Sequence, residues 1–152
     1  MQRSLIDPLF PDACQWAEAG LQLIRQTGRP LSEEENALAG SVGVGRPDLV
    51  RILTVPSIPI PEHSSLREAC RITGLLSADT RGLTLFHGIY LKESAAGDTR
   101  LLAHELRHVA QYESHRTLAA YLTVYFDQII KFGYEGAPYE IDATVAALRA
   151  CA

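Results

Sequence analysis

The pentapeptide His104-Glu105-Leu106-Arg107-His108 constrains this sequence more than any other feature, because it forms the pattern H-E-x-x-H. The two histidines are four residues apart, so on an α-helix their side chains lie one turn apart on the same face. Two imidazoles placed in this way can bind one zinc ion, at Zn–N distances of about 2.0–2.1 Å. Glu105 points beside the metal, where a general base can take a proton from the water that the metal activates.

Apolar residues accompany the motif at helical spacing: Leu101, Leu102, Leu106, Val109 and Ala110. This spacing predicts a half-buried helix. The alternative is a charged helix face that carries two histidines by chance. A half-buried face with two histidines and a glutamate needs polar partners, and a metal ion supplies one. The pattern therefore favours a metal site.

Chain length and charge limit the other classes of protein. The 152 residues suffice for one domain with a core and are too few for two ordinary ones. We expect residues 1–80 to supply N-terminal helices and the first strand, and residues 81–152 the metal-site core. The net charge of −4 argues against a nucleic-acid partner.

Membrane insertion and secretion are not predicted. The longest apolar stretch, Leu118 to Phe126, is too short to cross a bilayer. Residues Met1 to Phe10 lack the apolar region of a signal peptide. Three widely spaced cysteines give no disulfide framework, so we expect reduced thiols in a cytoplasmic protein.

Hydrophobic periodicity and capping signals predict the remaining elements. Besides the metal helix, helices are expected over residues 11–26, 33–40, 65–73, 117–132 and 139–149, and strands over 48–55 and 82–91, with a kink at Gly88. The buried stripe of the first helix is predicted to contain Trp16, Ala19, Gly20, Leu23 and Ile24. Capping boxes are expected at Ser32 with Glu35 and at Ser65 with Glu68, and Asp98 should cap the metal helix.

A catalytic zinc site has three protein ligands, so a third is needed. One pattern, H-E-x-x-H-x-x-G-x-x-H, would supply a histidine, but this chain has Gln111 and Ser114 at the glycine and histidine positions. His115 lies one residue further on, and no glycine lets the helix turn back. The sequence therefore argues against this pattern.

A downstream carboxylate is the other source of a third ligand. The candidates are Glu113, Glu135, Glu140 and Asp142. Glu140 is preferred because Ala143 and Ala147 share its face of the last helix and would allow close packing. Glu113 is rotated away from the histidines, and Asp142 is expected to face solvent or to support a ligand. Asp142 and Glu135 stay open as alternatives.

A family resemblance adds to this reasoning. Residues 104–111 read H-E-L-R-H-V-A-Q, and residues 137–143 read A-P-Y-E-I-D-A. The two segments resemble the gluzincins, zinc metallopeptidases that combine H-E-x-x-H with a downstream glutamate. They are most similar to small bacterial members with a minimal catalytic domain (minigluzincin-like proteins), whose pattern is close to H-E-L-x-H-V-x-Q followed by N-P-x-E-x-x-A.

The resemblance covers about residues 83–150 and implies an α+β, zincin-like fold. Such a fold has a small twisted mixed sheet, an active-site helix and a C-terminal helix that bears the glutamate. The resemblance also implies that His104, His108 and Glu140 bind zinc, that Glu105 is the base, and that residues 83–91 form an edge strand beside a bound peptide. One departure is Thr144, which stands where larger gluzincins often have an aspartate that orients a ligand histidine.

The predicted function is therefore zinc-dependent hydrolysis of peptide bonds. The oxyanion of the reaction needs a donor besides zinc. Tyr134 and Tyr139 are the nearest candidates, with His115 and Arg107 behind them, and aromatic packing is the alternative role for both tyrosines.

Two other functions stay open. The chain could be a catalytically weak or inactive zinc-stabilised scaffold or binding module, although an intact Glu105 argues against a purely structural site. It could also be a regulated protease in which the residues before 80 restrict access to the cleft. The sequence does not predict the oligomeric state.

Overall fold

The structure, a computed structural model, describes residues 7–152 and has an α+β fold. The prediction that residues 1–10 contain no signal peptide falls mostly outside the described residues. The described elements are α1 (Phe10–Thr27), β1 (Arg29–Pro30), α2 (Glu33–Ser41), β2 (Arg51–Val55), α3 (Ser64–Thr73), β3 (Gly82–Leu85), β4 (Gly88–Lys92), α4 (Thr99–Glu113), α5 (Leu118–Gly136) and α6 (Pro138–Ala150). No described helix has the length and apolar character that crossing a membrane would need.

The four strands form one mixed sheet in the order β1-β2-β4-β3. The β2 and β4 strands are parallel, with Ile52 opposite Ile89, and the two outer pairs are antiparallel. Side chains alternate between the two faces of a sheet, and in this sheet both faces are buried. Ile89 packs in one core with Leu106 of α4, and Tyr90 packs in a second core with Leu21 of α1. The sheet therefore separates α1 from the helix that carries the histidines.

Residues 82–92 form two strands, β3 and β4, so the single edge strand over 83–91 that the family resemblance implies is wrong. The chain reverses direction at Phe86 and His87, and Phe86 has a φ of 55°. Only β3 lies at the edge of the sheet, while β4 is an interior strand. The first residue of β4, Gly88, has little room for a side chain. A Cβ atom there would lie 3.0 Å from Leu21 Cδ1 and 3.1 Å from Ile24 Cδ1. Its role is close packing against α1 and not a kink.

The buried face of α1 also differs from the prediction. Ala17, Leu21 and Ile24 are buried, whereas Ala19 is exposed and Leu23 is 46% exposed. The helix has apolar residues around more than half of its circumference, so periodicity alone did not select one face. The sheet selects it, because α1 packs tightly against the sheet at Gly20, where a Cβ atom would lie 2.8 Å from Leu85 Cδ1.

Two of the three predicted caps are confirmed. Ser32 and Glu35 form a reciprocal capping box, and Asp98 Oδ1 accepts a hydrogen bond from the Leu101 backbone N–H at 3.0 Å. The predicted box at Ser65 and Glu68 is wrong. The α3 helix is instead capped by His63, whose Nδ1 accepts from the Leu66 N–H, and Glu68 pairs with Arg71 one turn further on.

The last two helices meet at a sharp break. Gly133, with a φ of 76°, interrupts α5, and Pro138 begins α6. The α6 helix packs along α4, and this is the most extensive contact between any two of the described elements. Buried Ala143 and Ala147 lie in this contact, as predicted from their small size. This close approach brings the C-terminal helix to the histidines.

We expect Gly28→Ala to destabilise the fold by about 1–3 kcal/mol through overpacking. A Cβ atom at Gly28 would lie 2.6 Å from the Ile24 carbonyl oxygen and 3.0 Å from that of Ile52, and backbone atoms cannot move away cheaply. Gly40→Ala is the matched control, because its Cβ would meet nothing within 4 Å. In urea denaturation, the control should be neutral or more stable by about 0.5–1 kcal/mol. Equal stability of the two variants would contradict the packing.

Candidate metal centre

Three side chains converge where α4 and α6 meet. His104 Nε2 lies 3.1 Å from Glu140 Oε1 and 3.1 Å from His108 Nε2. His108 Nε2 lies 3.1 Å from Glu140 Oε2. The ligand atoms of these three residues all lie within 4.8 Å of one another, so they form a group that could hold a metal ion.

The donor set fits a zinc ion. Two imidazole nitrogens and one carboxylate are a known catalytic zinc set, and bonds of about 2.0–2.1 Å at tetrahedral angles place ligand atoms about 3.3 Å apart. The observed separations of 3.1 Å are close to that value. Among the carboxylates considered, the structure therefore brings Glu140 to the histidines.

The other candidate carboxylates lie elsewhere. Glu113 accepts hydrogen bonds from the backbone N–H groups of Gly45 and Arg46 and lies 2.9 Å from His87 Nε2. Glu135 is exposed near the end of α5. Neither belongs to the group that could hold a metal.

Hydrogen bonds hold a buried negative charge against the two imidazoles. Burial by itself would raise the pKa of Glu140, but hydrogen bonds from His104 and His108 hold the pKa of this carboxyl well below its usual range. Burial by itself would lower the pKa of His108. The hydrogen bond and the charge of Glu140 outweigh this effect and raise the pKa of His108 to about 9. A cation that binds here must therefore displace a proton from His108.

Gln111 fixes which nitrogen of His108 faces the site. The Gln111 Nε2 atom donates to the Tyr139 carbonyl oxygen at 2.9 Å and to Asp142 Oδ2 at 2.8 Å, and both partners can only accept. The amide oxygen of Gln111 therefore faces His108 Nδ1, at 2.8 Å, and Nδ1 must be the donor. When His108 is neutral, the lone pair on Nε2 points into the centre, as metal binding requires.

Asp142 supports this arrangement from the solvent side. It accepts from Arg107 Nε at 2.8 Å, and Arg107 Nη1 also donates to the Val42 carbonyl oxygen at 2.8 Å. Asp142 is thus half-exposed and is linked to His108 through Gln111. Thr144 therefore does not leave His108 without outer support.

Tyrosine hydroxyls complete the surroundings of Glu140. Tyr125 Oη donates to Glu140 Oε2 at 2.8 Å. Burial raises the pKa of Tyr125 well above its usual value, so its hydroxyl stays protonated and remains a donor.

Glu105 lies beside the centre and is 5% exposed. The Thr84 hydroxyl of β3 lies 2.9 Å from Glu105 Oε1 and 3.0 Å from the Glu105 carbonyl oxygen. A Cβ atom at Gly82 would lie 3.1 Å from Glu105 Cγ, so this glycine leaves room for the side chain. No pattern in the sequence points to Thr84 or Gly82, because both belong to a strand that approaches α4 only in the folded chain.

The structure separates the two tyrosines predicted as oxyanion donors. Tyr134 lines the cleft beside the candidate ligands, and burial followed by the charge of Glu140 raises its pKa, which keeps it protonated. The Tyr139 hydroxyl instead lies 2.9 Å from His115 Nε2, and its ring stacks on Tyr121. Arg107 is engaged with Asp142.

The centre opens into a cleft of about 650 Å³. Side chains of α1, α3, β3, α4, α5 and α6 line it, so it is built from both halves of the chain. Clefts of roughly 300–1,000 Å³ are typical of ligand sites. A molecule in this cleft would contact the candidate metal ligands and Glu105 together.

The family model described as the eCIS core domain matches residues 74–116. This segment contains β3, β4 and α4, with His104, Glu105 and His108, and ends before Glu140. No curated protein and no solved structure matches the chain. The chain is therefore similar to the eCIS core domain over the hairpin and the histidine-bearing helix, and the resemblance to gluzincins stays a prediction.

We expect zinc affinity to increase about tenfold per pH unit between pH 7 and pH 8.5. The pKa of His108 is about 9, so below that pH zinc must displace one proton. Above it the proton is already gone and the dependence should level off. Chelator competition at several pH values measures the affinity, and calorimetry in buffers of different ionisation enthalpy counts the proton. Affinity that is constant over this range would contradict the assignment.

We expect Gln111→Leu to weaken zinc binding by about 10–100-fold, because His108 loses the acceptor that orients it. Gln26→Leu is the control, since Gln26 is exposed on α1. Chelator competition compares the two proteins, with circular dichroism to verify folding. If both variants bind zinc equally tightly, the orienting role of Gln111 is wrong.

Proposed function

We propose that the protein is a zinc-dependent metallopeptidase with a zincin-like fold. The observation that carries the proposal is the convergence of His104, His108 and Glu140 beside the buried carboxylate of Glu105 in an open cleft. A site that only stabilises the fold requires neither a further carboxylate next to the ligands nor access for a substrate. The α+β fold with a small mixed sheet is compatible with this proposal.

His104, His108 and Glu140 would hold the zinc ion. Bound there, zinc would supply a Lewis acid that increases the acidity of water and polarises a carbonyl group. Zinc is favoured over harder cations such as magnesium because two of the three donors are imidazole nitrogens.

Glu105 would act as the general base. Its carboxylate accepts a proton from the attacking water and later delivers it to the amine of the departing peptide fragment. The Thr84 hydroxyl donates to Oε1 at 2.9 Å and so restrains the carboxylate. This restraint favours catalysis because a proton acceptor is effective only in a narrow range of positions.

Tyr134 is the preferred donor to the developing oxyanion. It lines the cleft, and its raised pKa keeps the proton on the hydroxyl. Tyr139 is less suited, because its hydroxyl is engaged with His115. The peptide substrate would lie along β3, the edge strand of the sheet that lines the same cleft.

A zinc-stabilised binding module is the second candidate function. The edge strand β3 and the cleft favour it, because both could hold a partner without cleaving it. In either case we propose a cytoplasmic protein, since its three cysteines are free.

We expect zinc-loaded Glu105→Gln to retain its metal and to lose activity by a factor of about 10²–10⁴. The amide cannot accept the proton, whereas the three ligands are untouched. Casein and a mixed peptide library serve as substrates, and metal analysis measures zinc content. The control is Glu34→Gln, at an exposed position of α2. Hydrolysis by Glu105→Gln at the wild-type rate would refute the base assignment, and a zinc-loaded wild type that cleaves nothing would favour the binding module.

A further inference from the structure

Away from the candidate metal centre, the cleft has a lining that the proposed reaction does not use. Apolar side chains from α1, α3 and α5 form it: Trp16, Ala17, Leu66, Cys70, Leu122 and Phe126. These residues converge from three helices, and two of those helices precede the part of the chain that resembles the gluzincins. We call this region the apolar pocket.

The charged side chains of the cleft lie at its rim. Outside the metal centre they are Asp79, Arg81, Asp98 and Arg100, and all except the half-buried Asp98 are exposed. Arg81 and Asp98 neutralise each other in an ion pair of 2.8 Å. The apolar pocket therefore offers no buried partner to a charged side chain, whose burial there would be strongly unfavourable. Large apolar groups gain from entering it.

We propose that the apolar pocket binds a large apolar side chain of a peptide, next to the bond that faces His104, His108 and Glu105. The cleft of about 650 Å³ is continuous from this pocket to the metal centre, so one peptide can occupy both. The β3 strand lines the same cleft and offers backbone hydrogen bonds to an extended chain. Cleavage of this peptide depends on the proposed peptidase function, whereas its binding in the apolar pocket does not.

The chain contains its own reporter of binding, because Trp16 is the single tryptophan of the sequence and lines the pocket. Zinc-loaded Glu105→Gln would be titrated with capped glycine pentapeptides that carry phenylalanine, leucine, aspartate or lysine at the centre. The phenylalanine and leucine peptides should change the Trp16 emission and bind at least about tenfold more tightly than the charged ones. Equal affinity for apolar and charged peptides would overturn the proposal.

A variant that fills the pocket tests its location. Ala13 lines the cleft, so Ala13→Phe should weaken binding of the phenylalanine peptide by about tenfold or more. Ala19→Phe is the matched control, since Ala19 is exposed on the same helix and should leave binding unchanged. If circular dichroism shows that Ala13→Phe does not fold, Ala13→Leu replaces it. A folded filling variant that binds as tightly as the control would overturn the proposal.

The two proposals fail separately. If apolar peptides bind selectively and wild-type protein with zinc leaves them intact, the pocket is supported and the peptidase function is refuted. If the wild type cleaves peptides without preference for an apolar residue, and the filling variant is as active as the control, the pocket is refuted and the peptidase function is supported.

Discussion

The contact between α4 and α6 is the constraint on which the rest of the site depends. It buries Glu140 against His104 and His108, and a carboxylate removed from water is tolerated only when its charge is compensated. Small residues on α6, Ala143 and Ala147, make the approach possible. The helices thus bring together three groups that gain stability from a shared cation, and metal binding would strengthen the same contact that creates the site.

Around this contact the polar groups are ordered outward from the centre. Gln111 and Tyr125 bond directly to candidate ligands. Asp142 accepts from Gln111 and is itself held by Arg107 at the half-exposed surface. Such outer partners fix ring orientation and tautomer, which the ligands themselves cannot do. The orientation of His108 therefore depends on both helices, because Gln111 belongs to α4 and Asp142 to α6.

The sequence predicted most of the local features and fewer of the long-range ones. The H-E-x-x-H spacing placed two histidines on one helix face, and the Ser32 and Asp98 caps followed from short-range chemistry. The choice of Glu140 depended on small residues and on resemblance to a family pattern. Thr84 and the orienting role of Gln111 were missed, because their partners are set by how β3 and α6 pack against α4. The stripe of α1 was misplaced for the same reason: a helix apolar on many sides acquires its buried face from the sheet.

The N-terminal half of the chain has a different relation to the centre. It supplies none of the candidate ligands, yet Trp16 and Leu66 line the cleft that leads to them. The α1 helix packs on the Tyr90 face of the sheet, and its residues Trp16 and Ala17 line the same cleft as His104 and Glu105 of α4. Changes in α1 and α3 can thus alter what the cleft accepts while leaving the helix contact that holds His104, His108 and Glu140 intact. The fold separates the chemistry of the centre from the selection of what reaches it.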